Sequence, residues 1–401
     1  MKKNLRCPEW FSRSRLFTII YWKEKALPPK PENILYLSSF GNLRWGGQKS
    51  LFHLVTGLDS KKYHPIVLLP SDEDFAEALH RRKVDVVIQE LPTIGFFSSY
   101  KMILAFRNLL RIINHYDIDL IHTDGPRNTF YAGLAAKLKN RPVVWHIRSS
   151  DRDRYDALLV HLCAKIILVA DALRIRFART RNDKTFTTIY NGVDLSEFDE
   201  STLPPPNIKS KYHMAADEIL IGSFARIESM KGQKHLIEAC ANLKKAFRFK
   251  LFLYGEILDQ SYHQACTETV QKLELQEYVV FGGHQKNVFS LMKEMDFVVL
   301  GSFSEAFPRS VIEAMAAAKP VIVTDVGGSA EAIEEGVSGF VVTPGDTEML
   351  ADRMIRLGKD KEVREKFGAA ARKRVEDLFT IERNVQKTEQ IYQELLQDKI
   401  S

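Results

Sequence analysis

The chain has few cysteines, no long hydrophobic run and no strong excess of either charge. Its four cysteines, Cys7, Cys163, Cys240 and Cys266, are scattered without metal-ligand spacing. That excludes a zinc framework and a disulfide scaffold and points to a reduced compartment. No segment approaches the roughly 20 apolar residues that span a bilayer, so no membrane-crossing helix is expected. No Asp-x-Asp pair sits at a strand end in the manner of metal-dependent transferases, so neither a metal nor another cofactor is expected. The net charge of +6 over 401 residues is too modest to call for nucleic acid as a partner.

What is present is a long alternation of apolar runs and amphipathic segments. With 45% apolar residues the chain can bury two cores. Strands are expected at Ile34–Leu37, Ile66–Leu69, Val84–Ile88, Leu120–His122 and Val143–Ile147, with helices near 48–58, 75–82, 100–115 and 128–138. The pattern repeats at Ile219–Phe224, Lys250–Tyr254, Val279–Phe281, Phe297–Leu300 and Pro320–Val323, with helices near 233–245, 262–273 and 288–295. Such alternation predicts α/β folding with parallel, doubly wound sheets. The proline-rich interval Leu203–Pro206 marks a linker. The expected organisation is an extension over 1–30, a Rossmann-like domain over 31–200, a linker over 201–215, a second Rossmann-like domain over 216–380, and a last helix over 381–401 returning to brace the first domain.

The extension mixes Trp10, Phe11, Phe17, Tyr21 and Trp22 with Lys2, Lys3, Arg6, Arg13, Arg15, Lys23 and Lys25. Its apolar run, Leu16 to Trp22, is short, lacks a small-residue cleavage site and is followed by charges, which fits a signal peptide poorly. A basic aromatic segment of this kind suits a membrane interface. Further basic residues cluster at Arg81–Lys83, Arg148, Arg152, Arg154, Arg174, Arg176, Arg179 and Arg181, so an anionic membrane surface is an expected neighbour.

The chemistry concentrates near the C-terminus, where Glu305 and Glu313 are separated by seven residues between two apolar runs. A helix beginning near Pro308 leaves Glu305 in the preceding loop and Glu313 about one and a half turns inside, so both can face a cleft at a helix N-terminus. Ligands of parallel sheets bind beyond the carboxyl ends of the strands, and helix N-termini attract phosphate. Upstream, Arg226 and Lys231 lie on a loop between a strand and a helix, where they can supply a forked donor and a point charge.

These residues fall into an ordered series: Gly222-Ser-Phe-Ala-Arg226, Lys231-Gly232, Leu253-Tyr-Gly255-Glu256, Val280-Phe-Gly282, Ser304-Glu305-Ala-Phe-Pro308, Glu313-Ala-Met-Ala316, Pro320-Val-Ile322 and Gly327-Gly-Ser-Ala-Glu331, with Gly336 and Gly339. In this order they resemble the retaining sugar-nucleotide glycosyltransferases of GT-B architecture (family 4-like, group 1), and the resemblance covers nearly all of residues 33–398. It implies two Rossmann-like domains facing an interdomain cleft, and transfer of a hexose-like sugar from a UDP- or GDP-hexose to a glycan or lipid-linked acceptor. From composition, the basic run Arg148–Arg154 could meet a phosphate- or lipid-linked acceptor, and with the aromatic extension it favours cell-envelope polysaccharide, lipopolysaccharide or lipid-linked glycan synthesis, cytoplasmic and peripheral at the inner face of the membrane.

By the same resemblance Arg226 and Lys231 neutralise the departing diphosphate, Gly47 lets the N-terminal loop approach the phosphates, Glu305 meets the donor sugar, and Glu313 accepts from the ribose hydroxyls. The amides of Ala306 and Phe307 contact the donor, His146 sits at the edge of the sugar site, and His284 lies by the base. Many family members carry glycine where Ala306 stands. His122 is a second strand-end histidine, and Asn191-Gly-Val-Asp194 reads as a turn before the linker. Same-face attack is expected, with the leaving phosphate taking the acceptor proton. Two other readings of the architecture are a non-catalytic binding subunit and a sugar-nucleotide epimerase. With the leaving-group charge met by Arg226, Lys231 and a helix N-terminus, turnover is expected to survive EDTA; activity that is lost to EDTA and restored by magnesium alone would overturn this.

Overall fold

The computed structural model describes residues 30–95, 99–178, 185–199 and 207–397. The aromatic extension, Arg179, Arg181 and the prolines of the linker lie outside the described residues. Strands β1 (Glu32–Leu37), β2 (Tyr63–Leu69), β3 (Asp85–Ile88), β4 (Leu120–Thr123), β5 (Val143–Ile147), β6 (Lys165–Leu168) and β7 (Phe186–Thr188) form one sheet. Strands β8 (Ile219–Phe224), β9 (Phe249–Tyr254), β10 (Val279–Gly283), β11 (Phe297–Leu300), β12 (Val321–Thr324) and β13 (Gly339–Val342) form the other. The orders are β3-β2-β1-β4-β5-β6-β7 and β10-β9-β8-β11-β12-β13, with parallel pairing throughout.

Each sheet reverses its direction of growth once, at β1/β4 and at β8/β11. The connections leaving those neighbours diverge to opposite faces and open a crevice at the strands' carboxyl ends. Strands covered on both faces read as continuous apolar runs. Ile34 and Tyr36 point into the core under the helix Gly46–Gly57, while Leu35 and Leu37 point the other way, among Leu109, Ala132 and Ala135. Strands β6, β7 and β13 were not anticipated. Length is not the reason, since β3, β4, β11 and β12 have four residues as well; β7 and β13 lie at sheet edges, and the three residues of β7 are only half-buried, whereas β6 has a buried apolar run like its neighbours.

The last helix, Ile381–Gln397, buries Asn384, Val385, Thr388, Ile391 and Tyr392, one stripe of an amphipathic helix. That stripe joins the core of the first sheet. The chain thus crosses between the halves again near Thr380, where the Val193 amide donates to the Phe379 carbonyl at 2.9 Å and the Ile381 amide donates to the Val193 carbonyl at 3.1 Å. Tyr190, Phe307 and Phe379 pack their rings at the same place with centroids 5.0–5.3 Å apart. A Cβ on Gly192 would stand 2.4 Å from the Thr380 carbonyl oxygen, closer than van der Waals contact allows. Gly192→Ala is therefore expected to cost about 1–3 kcal/mol of stability in denaturant unfolding; an unchanged midpoint would show that the crossing yields without strain.

Candidate active site

A cavity of about 620 Å³ lies where the two crevices face each other. Its walls are the connections leaving β1 (Phe40 and Arg44–Gly47), β5 (Arg148 and Ser149), β8 (Ala225 and Arg226, with Lys231) and β11 (Glu305–Ser310). It therefore belongs to both halves at the carboxyl ends of their strands.

Two helices begin at its wall. Gly46–Gly57 follows Trp45 and Arg309–Ala316 follows Pro308, and neither has a side-chain cap. Elsewhere Asp259, Asp346 and Asp360 each accept from the first turn of their helices at 2.9–3.0 Å. Side-chain oxygens thus satisfy some helix starts; these two, like those of Asp74–Arg81, Pro126–Lys139 and Gln233–Leu243, have none, and they present first-turn amides and the positive end of the dipole towards the cavity.

Side chains add charge of the same sign: Arg44, Arg148, Arg226, Lys231 and Arg309 line the cavity, against the single carboxylate of Glu305. The Lys231 Nζ donates to Glu305 Oε1 at 2.7 Å, and Ser302 Oγ donates to the same oxygen at 2.7 Å. Both bonds end on Oε1, which leaves Oε2 to accept from a ligand. The pair is only 13% and 11% exposed, so each charge depends on the other. Two glycines permit this packing. Gly232, at φ +67°, passes so close to Gly301 that a Cβ would meet its carbonyl oxygen at 1.9 Å, and Gly327, at φ +50°, approaches the Glu305 carbonyl in the same way at 1.8 Å.

Arg226 pairs with Glu228 at 2.8 Å and lays its guanidinium over the Trp45 ring, 5.0 Å from the centroid, reaching across the cleft. Arg309 also crosses, donating to Ser50 Oγ at 3.1 Å and to the Gly192 carbonyl at 2.9 Å. Arg148 donates to Asn191 Oδ1 at 3.3 Å and to His146 Nδ1 at 3.1 Å. Burial brings its guanidinium down to about 10, still well above neutrality, so it is charged at pH 7.

Gly47, Arg226, Lys231, Glu305, Ala306 and Phe307 are brought together as cavity walls. His284 is placed beside them, on an adjoining cavity of about 640 Å³ that shares Arg44. Glu313 and His146 do not reach the wall. A helical turn brings Glu313 beneath Arg309, 3.2 Å from its Nη2, so only the first of the two glutamates faces the cleft. His146 is fully buried behind Arg148, with no partner for its Nε2 among the described residues. Sequence reasoning missed Arg309 and the ring of Trp45. A signal for Arg309 existed, since a cation in the first turn of a helix opposes the dipole and calls for a compensating reason. No local signal announces that Trp45 meets Arg226.

Residues 206–374 match the family model for glycosyl transferases group 1, and residues 46–197 match that for glycosyltransferase family 4. Among curated proteins, the chain is 31% identical to N-acetyl-alpha-D-glucosaminyl L-malate synthase of Bacillus anthracis over 54% of its own length, and spans only 55% of that relative. It is 23% identical to the capsular polysaccharide biosynthesis glycosyltransferase CapM of Staphylococcus aureus, over 87% of this chain and 98% of CapM. Among solved structures, a glycosyltransferase of Rickettsia africae superposes with a TM-score of 0.82 at 23% identity, covering 92% of this chain and 99% of the other. HepE of Anabaena in complex with UDP superposes with a TM-score of 0.79 at 22% identity, covering 90% and 100%. These likenesses establish the GT-B architecture.

Replacing Lys231 by Met would leave the Glu305 carboxylate buried without its ammonium, at a cost on the order of 3 kcal/mol. Adding Glu305→Gln is expected to recover much of that loss in denaturant unfolding; a double variant no more stable than Lys231→Met would show that the two charges do not depend on each other.

Proposed function

Because the chain belongs to the group 1 glycosyltransferases of GT-B architecture, we propose that it moves a hexose-like sugar from a nucleoside-diphosphate donor to an acceptor hydroxyl with retention of anomeric configuration. The observation that carries this reading is the convergence of Arg148, Arg226, Lys231 and Arg309 on two uncapped helix starts in one cavity. A diphosphate is the group in such a donor that needs this surround. As the glycosidic bond breaks, negative charge grows on the departing oxygen, and fixed cations and amides stabilise it without reorganising.

Arg226 and Lys231 are the principal phosphate ligands, and Gly47 lets the backbone of its helix approach closely. Glu305, oriented by Lys231 and Ser302, accepts from a donor-sugar hydroxyl through Oε2. The amides of Ala306 and Phe307 lie alongside. Glu313, turned beneath Arg309, acts through that guanidinium, which it orients at the cavity wall. His146, fully buried behind Arg148, acts on the site through that guanidinium. His284 borders the base. The leaving phosphate takes the acceptor proton as the acceptor attacks the face it vacates. UDP, which the similar HepE holds, is the first nucleotide to test.

The likeness to CapM supports a part in polysaccharide synthesis. The helix Ser99–His115 supports an anionic membrane as the setting. It exposes Tyr100, Ile103 and Leu104 beside the exposed Lys101, Arg107 and Arg111, and its N-terminal end lies on the cleft side of the sheet. Among the described residues no helix is long and apolar enough to cross a membrane.

Incubation with a panel of UDP-, GDP- and ADP-sugars, reading released nucleoside diphosphate with and without glycan acceptors, tests the reading. Nucleotide binding without release from any member would favour the binding-subunit alternative. Glu305→Gln is expected to lower kcat on the order of 100-fold with nucleotide binding retained. Arg226→Ala is expected to weaken both, with Kd for the nucleotide rising about tenfold or more; turnover unchanged in Glu305→Gln removes that residue from the site.

A further inference from the structure

Behind Arg148 runs a line of buried polar groups that ends on the C-terminal helix. His146 Nδ1 is 3.3 Å from His122 Nε2, His122 Nδ1 is 2.6 Å from the Tyr392 hydroxyl, and that hydroxyl is 2.9 Å from the hydroxyl of Tyr36. All four side chains are at most 1% exposed. The elements involved are β5, β4, the helix Ile381–Gln397 and β1. Burial, with the neighbouring guanidinium adding to it, pushes both imidazoles well below their ordinary range, so each is neutral at pH 7 and carries a single N–H.

The direction of every bond then follows from Arg148, because a guanidinium donates and never accepts. His146 Nδ1 faces the Arg148 Nη2 at 3.1 Å and must be bare, which places the His146 proton on Nε2. His122 Nε2 faces the same bare nitrogen and must therefore carry its own proton. His122 Nδ1 is then an acceptor, and only the Tyr392 hydroxyl is there to donate to it. Tyr392 has one proton and has used it, so in the last contact Tyr36 is the donor. Two donors, Arg148 and His122, thus share one lone pair on His146, and the His122 donor exists because Tyr392 holds the other nitrogen.

Arg148 depends on this line more than its neighbours do on theirs. Arg44, Arg226, Lys231 and Arg309 are each paired with a carboxylate. Arg148 has no carboxylate within salt-bridge reach among the described residues, and its guanidinium is held only by Asn191 and His146.

We propose that Tyr392 is a positioning residue for the donor cavity: its hydroxyl fixes the tautomers of His122 and His146 and thereby orients the Arg148 guanidinium. The proposal rests on reading the cavity as the donor site. Without the Tyr392 hydroxyl, the buried His122 Nδ1 has no donor. Moving the His122 proton to that nitrogen would bring two bare nitrogens, His122 Nε2 and His146 Nδ1, face to face and disturb the support of Arg148. Loss of the Tyr36 hydroxyl does neither, because Tyr36 only donates into the far end of the line and lies outside the binding machinery.

The test compares Tyr392→Phe with Tyr36→Phe in the full chain. Both remove one hydroxyl from a fully buried ring, so a merely structural role would make them alike. Tyr392→Phe is expected to lower kcat/KM for the sugar nucleotide about tenfold or more, and Tyr36→Phe to stay within about twofold. In ¹⁵N-histidine NMR, His122 and His146 are expected to show Nε2–H tautomers in the wild type and in Tyr36→Phe, with the His122 signature altered in Tyr392→Phe. Equal kinetics for the two variants, or an Nδ1–H tautomer at either histidine in the wild type, would overturn the proposal. The wild-type spectrum decides the matter even if Tyr392→Phe fails to fold. A wild type that releases no diphosphate from any sugar nucleotide would instead defeat the donor-site reading, and the tautomers would still decide the line of hydrogen bonds.

Discussion

Five cations gathered around one cavity repel one another, and the site must hold them together before any anion arrives. Four are each matched with a carboxylate: Arg44 with Glu256, Arg226 with Glu228, Lys231 with Glu305 and Arg309 with Glu313. These pairs contribute little net stability where they face water, and where they are enclosed, as Lys231–Glu305 is, desolvation offsets the attraction so that the cost appears when one partner is lost. Their larger effect is geometric, since each carboxylate sets where its cation points. Glu305 does so while keeping one oxygen for a ligand. Arg148 solves the same problem without a salt bridge, feeling the buried Asp124 only at a distance and held through neutral histidines and a tyrosine hydroxyl, and it is the cation whose position depends on the C-terminal helix.

The contacts across the cleft divide into two kinds. Around Gly192 and Thr380 they are backbone hydrogen bonds and stacked aromatic rings, which fix the two sheets relative to each other. Around the cavity they are polar and exchangeable: Arg226 over Trp45, Arg44 with Glu256, Ser150 with Ser304 at 2.9 Å, and Arg309 with Ser50.

Much of the frame was legible from residue order. Strands buried on both faces announce themselves as apolar runs, and the alternation of runs with amphipathic segments implies parallel sheets whose sites lie at the strands' carboxyl ends. Strands β6, β7 and β13 were not anticipated; β7 and β13 close the sheets at their edges, where burial on both faces no longer marks a strand as an apolar run. Within the site, Arg226, Lys231 and Glu305 could be placed at the cleft because each lies in the connection leaving a recognisable strand, and Gly47, in the first turn of its helix, was found by the family resemblance. His146 and Glu313 were placed less well. A strand-end histidine and a helical glutamate are located along their elements by spacing, but what stands between them and the cleft, here Arg148 and Arg309, is a matter of side-chain packing.

The amino-acid order by itself determined the α/β class, the two-sheet organisation, the family and the loops that carry the chemistry, since hydrophobic period and loop position are local properties of a chain. Only the tertiary structure decided which charges are paired, which face the cavity, and that Tyr392 meets His122 across 270 positions of sequence. Contacts of that separation arise when an amphipathic helix returns to cover the first sheet. The hydrogen-bond directions they impose follow from which proton donors the packing leaves beside each lone pair.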